Sequence, residues 1–232
     1  MDGNERVGWL ERLHWRFSWG SRRARRTLID SIPEPERRFV TSGALLQHCV
    51  RTAPPDGMFL EFGVGSGKSS ELIASGLAQR GLAQRLYGFD SFQGLPERWR
   101  IGVPKGAFRR EAPPVVGERI ELEVGWFQET LEPFLQQHPA NASFVHVDCD
   151  LYRSAKFALE TLARANRLVA GTVLDFDEYH GYPSWEREGE ARALQELCDG
   201  TGFGYRIIGI VPTGQQFAVA LTPRPNGPSK RI

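Results

Sequence analysis

Acidic residues stand directly after three apolar runs of this sequence, at Asp90, at Asp148 and at Asp177 with Glu178. Such runs predict strands, and carboxylates that end two neighbouring parallel strands can converge, because these strands lie about 4.8 Å apart. Crowded carboxylates repel one another unless a cation lies between them, and oxygen ligands suit Mg²⁺ or Ca²⁺ better than zinc. We therefore predict a hard divalent cation at Asp148, Asp177 and Glu178. In the alternative interpretation each aspartate caps the following helix, which applies most strongly to Asp150.

A glycine-rich turn is the second stretch with the composition of a binding site. It runs from Gly63 to Gly67 and joins the apolar run Met58–Phe62 to a segment with helical periodicity, so we predict strand, turn and helix. Glycines let the backbone pass close to a ligand, and the following helix N-terminus offers free N–H groups. The turn is therefore predicted to bind a nucleotide-like ligand. The alternative is a turn whose glycines only allow close packing.

Spacing separates the ligand classes that use such turns. Gly67, Lys68 and Ser69 match the end of a P-loop, but the first glycine of that motif would stand at position 62, which is phenylalanine. A dinucleotide fingerprint needs its third glycine at position 68, which is lysine. The pattern that fits places alternating glycines after an acidic residue, at Glu61, Gly63, Gly65 and Gly67. It resembles motif I of the class I methyltransferases that use S-adenosylmethionine (SAM).

Asp90 ends the next predicted strand, Gln84–Phe89. In nucleotide-binding sheets, an acidic residue at this place, roughly 20 residues after the glycine turn, accepts hydrogen bonds from ribose hydroxyls. Asp90 comes somewhat later in the chain, which a longer intervening helix explains. The alternative is a turn or capping residue. We favour the ribose, because Glu61 and the glycines indicate the same class of ligand.

Composition and charge exclude several functional classes. The 232 residues suffice for one domain with an appended arm, and a net charge of +1 gives no reason to expect nucleic acid as a partner. Cys49, Cys149 and Cys198 are odd in number and lack the spacing of a metal site. This pattern favours a reducing compartment, so we predict a cytoplasmic protein. No apolar run is long enough to predict a membrane span.

The chain divides into three predicted regions. Residues 1–35 form a basic, aromatic helical arm or lid, residues 36–222 the main domain, and residues 223–232 a disordered tail. A basic amphipathic arm can bind a membrane or nucleic acid, but we favour a helix that packs on the domain. The loop at residues 91–117 is long for a compact domain, and such loops are functional or disordered.

Apolar runs alternate with segments of helical periodicity over the main domain. This alternation predicts an α/β fold with a mainly parallel sheet and right-handed crossovers. The last two runs, Tyr205–Val211 and Gln216–Leu221, flank a Pro-Thr-Gly turn and indicate a closing hairpin with one antiparallel strand. We therefore predict a Rossmann-like, mostly parallel seven-stranded sheet with one antiparallel strand near the C-terminus.

Further segments follow the glycine turn in a specific order: Tyr87–Pro96, Gly125–Leu131, Val145–Tyr152 and Phe176–Tyr179. Together with the turn they resemble the macrocin O-methyltransferase family, class I SAM enzymes that methylate sugar hydroxyls on natural products. The resemblance covers about residues 40–221. It implies a class I methyltransferase fold, SAM and Mg²⁺ as cofactors, and a sugar or glycosylated natural product as the small-molecule acceptor.

The resemblance also implies the roles of individual residues. The cofactor-binding residues would be Glu61, Gly63, Gly65, Ser69, Asp90, Ser91, Trp126, Phe127 and Asp148. Within this set, Asp90 and Ser91 would hold the ribose, and Trp126 and Phe127 would flank the adenine. Asp148 would be both a metal ligand and the catalytic base, with Asp177 and Glu178 as further ligands. The family has Asp-Asp-Tyr where this chain has Asp-Glu-Tyr at positions 177–179.

The chemistry leaves alternatives open. SAM carries an activated methyl group, so the protein must align donor and acceptor, and Mg²⁺ would lower the pKa of an acceptor hydroxyl before Asp148 takes its proton. His180 is a second candidate base, because imidazole titrates near neutral pH. Alternatives are a metal-independent SAM methyltransferase on another small-molecule or peptide acceptor, a P-loop-like nucleotide-binding protein, and a non-enzymatic module with a basic arm. The aromatic arm also suggests a homodimer.

Overall fold

The computed structural model describes residues 19–32, 34 and 37–223, which form an α/β fold. The strands are β1 (Met58–Phe62), β2 (Leu86–Asp90), β3 (Ile120–Val124), β4 (Ala142–Val147), β5 (Val173–Phe176), β6 (Phe203–Ile210) and β7 (Phe217–Pro223). The helices are α1 (Trp19–Asp30), α2 (Ser42–Thr52), α3 (Lys68–Gln79), α4 (Phe127–Gln137), α5 (Tyr152–Arg164), α6 (Trp185–Glu188) and α7 (Glu190–Gly200).

The seven strands form one sheet in the order β3-β2-β1-β4-β5-β7-β6. Strands β1 to β5 pair in parallel, and β7 is antiparallel to both of its neighbours. The predicted fold, a mostly parallel seven-stranded sheet with one antiparallel strand near the C-terminus, is confirmed. The strand order reverses between β1 and β4, and a crevice for ligands opens at the carboxyl ends of strands at such a switch point.

Helices cover both faces of the sheet. Apolar residues of α2 and α3 pack on one face against Phe59 and Phe144. Those of α4, α5 and α7 pack on the other face against Phe62 and Val145. Every residue of β1 and β4 is buried, as expected for central strands of a parallel sheet. Polar side chains on these two strands therefore lie inside the protein unless they stand at a strand end.

One predicted helix is broken in the structure. The stretch from Trp185 to Cys198 reads as a single helix, yet it forms α6 and α7 with extended backbone at Gly189 between them. A Cβ atom at Gly189 would lie 1.8 Å from the hydroxyl oxygen of Tyr182. The packing of Tyr182 against the backbone of Gly189 thus interrupts the helix and determines where α7 begins.

The described part of the N-terminal arm, α1, packs on the main domain. Arg25 donates hydrogen bonds to the carbonyl oxygens of Pro212 and Gly214, at 2.7 and 3.0 Å. The indole N–H of Trp185 donates to the carbonyl oxygen of Ser21 at 3.2 Å. Residues 1–18 of the predicted arm lie outside the described residues. So does the predicted tail, except Pro223, which ends β7.

The loop between β2 and β3 is folded, although it contains neither helix nor strand. The amide of Leu95 donates to Ala107 O at 2.9 Å, and the amide of Gly106 donates to Leu95 O at 2.8 Å. Leu95, Val103 and Leu151 form a small hydrophobic cluster of their own. The loop is thus held against the chain just after β4. None of the helices in the described ranges has the length and apolar character needed to cross a membrane.

Candidate active site

A cleft of about 1360 Å³ opens at the carboxyl ends of the central strands. The predicted site residues that line it are Gly63, Gly65, Ser69, Asp90, Ser91, Trp126, Phe127, Asp148, Asp177 and Glu178. Two predicted site residues, Glu61 and His180, do not line it. The structure thus gathers residues from five separate stretches of the sequence around one space.

The glycine turn begins where β1 and β4 touch. The amide of Asp148 donates to Phe62 O at 2.9 Å. Gly63 has a φ of +97°, and a Cβ atom there would lie 1.7 Å from the carbonyl oxygen of Asp148. Only glycine combines this backbone conformation with this close approach. The first glycine of the motif therefore holds the turn against the end of β4, beside the acidic residues.

Asp90 supports the glycine turn from the end of β2. Its Oδ2 accepts from the amides of Val64 and Gly65 at 3.0 and 2.9 Å, and its Oδ1 accepts from the amide of Phe92 at 2.7 Å. A carboxylate has about four acceptor sites, so this one keeps capacity for a further donor from the cleft. The predicted ribose contact is compatible with this geometry, and the carboxylate also fixes the turn.

A polar row lies one layer deeper than the cleft entrance, on three adjacent strands. Glu61 on β1 stands opposite His146 on β4, which in turn stands opposite Asp175 on β5. All three are buried on the face covered by α2 and α3. We call Glu61, His146 and Asp175 the buried polar row. Sequence reasoning missed His146 and Asp175, since the pairing of β1, β4 and β5 joins strands that are distant along the chain.

The buried polar row is held by complementary partners. His146 Nδ1 and Asp175 Oδ2 are 2.8 Å apart, and Ser70 of α3 donates to Glu61. Burial alone would lower the pKa of His146, but the hydrogen bond and charge of Asp175 outweigh it and raise that pKa to about 10. Cys49 of α2 donates to Asp175 Oδ1 at 3.7 Å. The row is therefore a paired network that borders the cleft through His146 and Asp175.

Asp148, Asp177 and Glu178 form an acidic cluster at the ends of β4 and β5. One carboxylate oxygen of each lies within 4.8 Å of the other two, a spacing that a single cation can bridge. The extra methylene of Glu178 does not prevent this convergence. Burial raises the pKa of Asp148 well above its usual value, and the charge of Asp177 raises it further. Burial also raises the pKa of Glu178 well above its usual value, and the charge of Asp148 raises it further.

Glu190, the first residue of α7, extends the acidic cluster inward. It is fully buried, and its Oε2 accepts from the amide of Glu178 at 3.1 Å. Among the residues that the structure describes, Glu190 Oε1 and Glu178 Oε2 have no hydrogen-bond partner. Sequence reasoning missed Glu190, because its burial depends on the helix break at Gly189. A glutamate directly after that glycine was the available signal.

Asp150 does not cap the helix that follows it. The residue before α5 is Leu151, and no side chain caps that helix. Asp150 instead lines the cleft with a positive φ of 62°. Burial raises its pKa to about 7, although the nearby Arg100 opposes the shift. The capping interpretation of Asp150 is therefore wrong.

His180 lies away from the cleft. It is fully buried, and Arg25 of α1 is near enough to act on its charge. Burial lowers the pKa of His180 to about 3, and Arg25 lowers it further. A neutral, weakly basic imidazole outside the cleft cannot reach a substrate proton there. The structure gives no support to His180 as the base.

Comparison with known proteins identifies the family. A family model described as a methyltransferase domain matches residues 60–179, slightly more than half of the chain. No curated protein matches the sequence. The structure resembles calicheamicin methyltransferase CalS11, with a TM-score of 0.61 and 24% identity over 83% of this chain and 84% of that one.

Two further solved structures share the fold. An apo structure of CalS11, described there as a TDP-rhamnose 3'-O-methyltransferase, has a TM-score of 0.54 and 23% identity over 77% of this chain and 76% of that one. The O-methyltransferase NovP has a TM-score of 0.54 and 19% identity over 77% of this chain and 78% of that one. The chain thus belongs to the methyltransferase domain family and is a SAM-dependent methyltransferase.

Proposed function

We propose that this protein transfers the methyl group of SAM to a hydroxyl of a sugar or a glycosylated natural product, assisted by Mg²⁺. The observation that carries the proposal is the convergence of Asp148, Asp177 and Glu178 in the cleft. Oxygen ligands of this kind suit Mg²⁺, and the unpartnered oxygen of Glu178 is available to a cation. The ordered segments shared with the macrocin O-methyltransferase family, and the fold shared with a TDP-rhamnose methyltransferase, support a sugar hydroxyl.

The glycine turn and the end of β2 would bind the cofactor. Gly63, Gly65 and Ser69, which all line the cleft, would border its methionine part. Asp90 and Ser91 would accept from the ribose hydroxyls, with Trp126 and Phe127 beside the adenine. Glu61 is buried behind the turn, so it would act on the methionine part through the turn and not by direct contact.

The acidic cluster would prepare the acceptor. A bound Mg²⁺ lowers the pKa of a neighbouring hydroxyl group. Asp148 would take the hydroxyl proton at its carboxylate, which a cation at the acidic cluster would keep ionised. The cleft walls would align the acceptor oxygen with the methyl group, and alignment of this kind is worth about 7–11 kcal/mol.

The organisation of the whole chain is part of the proposal. Residues 1–35 would form an arm or lid, residues 36–222 the methyltransferase domain, and the last residues a tail. The three cysteines are buried and form no disulfide with one another, which suits a reducing cytoplasm. A homodimer through the arm stays a prediction.

Binding and turnover test the proposal together. S-adenosylhomocysteine (SAH) should bind the wild type with micromolar affinity in calorimetry, and Asp90→Asn should weaken that binding. With SAM and TDP-rhamnose as a test acceptor, SAH should form with Mg²⁺ and fall to background with EDTA. Absence of SAH binding would contradict the cofactor site, and turnover that resists EDTA would contradict the role of Mg²⁺.

A further inference from the structure

The cleft has a second charged wall, on which two arginines outnumber one glutamate, Glu111. Phe108, Arg109 and Arg110, from the loop between β2 and β3, line the cleft, and all three side chains are exposed. We call these three residues the arginine lip. In the part of the chain that the structure describes, neither guanidinium forms an ion pair or a side-chain hydrogen bond. Both are therefore available to a ligand.

The arginine lip is tied to the cofactor side of the cleft. The amide of Arg110 donates to Phe92 O at 3.0 Å, and the amide of Phe92 donates to Asp90 Oδ1 at 2.7 Å. The amide of Ala107, just before the lip, donates to Pro104 O at 3.1 Å. The backbone of the lip is thus positioned relative to the end of β2 before any ligand arrives.

Phe108 is placed in a way that hydrophobic burial does not explain. Its side chain is 61% exposed, and its φ is +65°. A bulky residue in this backbone region is strained, and such conformations cluster at ligand sites. An exposed aromatic ring on a cleft wall offers a flat face on which a planar ring can stack.

The charges of the lip suit an anionic acceptor better than SAM. SAM carries a sulfonium, an ammonium and one carboxylate, so its net charge is positive. Lys68 and the first turn of α3 also line the cleft beside the glycine turn, where that carboxylate would lie. Arginine forks match phosphate oxygens in pairs. Two free arginines therefore exceed what the cofactor requires.

We infer that the acceptor of this methyltransferase carries a phosphate group, and that Arg109 and Arg110 bind it while its hydroxyl lies at the acidic cluster. A sugar joined to a nucleoside diphosphate combines these features, with Phe108 stacked on its base. The inference rests on the proposed function and names the class of its acceptor. It makes the arginine lip a specificity site that is separate from the cofactor site.

Calorimetry on the full chain saturated with SAH tests the inference. Inorganic pyrophosphate and uridine diphosphate are titrated in EDTA, so that metal binding does not contribute. Both should bind the wild type, and Arg109→Gln with Arg110→Gln should weaken both by about 10- to 100-fold, the range for lost hydrogen bonds to charged groups. Phe108→Ala should weaken only uridine diphosphate. Lys105→Gln is the matched control, because Lys105 is exposed on the same loop outside the cleft.

The outcomes separate this inference from the proposed function. No SAH binding by the wild type would remove both. Normal SAH binding without pyrophosphate or uridine diphosphate binding would overturn the phosphate-bearing acceptor alone. A tenfold loss of SAH affinity in the double variant would assign the arginines to the cofactor instead. An equal loss of pyrophosphate affinity in Lys105→Gln would show that the arginine lip is a diffuse basic surface, which would overturn the inference of a specific phosphate site.

Discussion

The same two strands, β4 and β5, carry two sets of polar residues with opposite electrostatics. In the buried polar row, His146 and Asp175 pair opposite charges at 2.8 Å. Two residues further along each strand, Asp148 and Asp177 bring like charges together at the edge of the cleft. Paired charges offset part of the cost of burial, whereas crowded like charges add to it.

The partners of each set distinguish residues that support the fold from residues that bind a ligand. The row is covered by α2 and α3, which supply Cys49 and Ser70 as partners, although His146 and Asp175 also border the cleft. The acidic cluster opens on the cleft and keeps an unpartnered oxygen on Glu178. Charged residues that find partners within the protein stabilise the fold. Like charges that remain crowded at the edge of a cleft form a site that can bind a cation.

The largest expected effect is a loss of folding stability when the buried polar row is changed. Asp175→Asn removes one partner of a buried charge pair, which should cost about 3–5 kcal/mol of unfolding free energy. Urea denaturation measures this loss. Asp199→Asn, an exposed carboxylate on α7, is the control and should stay within about 0.5 kcal/mol of the wild type. A loss below 1 kcal/mol for Asp175→Asn would show that the pair does not support the fold.

The second largest effect is a loss of metal affinity when the acidic cluster is changed. Asp177→Asn removes a proposed ligand and should weaken Mn²⁺ binding by more than about 100-fold, the upper range for loss of an outer partner. Electron paramagnetic resonance of free Mn²⁺ measures the affinity. Without metal, the same variant should unfold at the same or a higher urea concentration than the wild type, because the substitution removes one of the crowded charges. Unchanged Mn²⁺ affinity would contradict the proposed ligand set.

The smallest effect concerns Glu190, which links the cluster to α7. Glu190→Gln keeps an oxygen for the amide of Glu178 but removes a charge, so Mn²⁺ affinity should fall by about tenfold. Glu190→Ala, which removes the hydrogen bond as well, should lower it further. Equal affinities in both variants would show that the bond to Glu178 does not position this ligand. Thermal unfolding of each variant without metal separates a folding defect from a binding defect.

The sequence predicts the local elements better than the pairing between them. Strand β1 has the predicted bounds, Met58–Phe62, because turn-forming residues flank that apolar run. The acidic cluster was also predictable, since its members end strands whose carboxyl ends share one edge. His146 and Asp175 look like strand residues and reveal their role only when β4 lies between β1 and β5.

Two other features depend on tertiary contacts that have no local signal. Glu190 acquires its position because Tyr182 packs on Gly189 and breaks the predicted helix. The arginine lip faces the cleft because the loop folds on Leu151, which is more than 40 residues further along the chain. Composition alone marks that loop as functional or disordered but does not show which of its side chains line the site.

A crystal structure of the full chain grown with SAH and Mn²⁺ would show the cofactor site and the acidic cluster together. SAH should lie along the glycine turn, with its ribose at Asp90, and an anomalous Mn²⁺ peak should lie among the carboxylates of Asp148, Asp177 and Glu178. SAH bound in the cleft with Mn²⁺ absent from these three carboxylates would contradict the account of the acidic cluster.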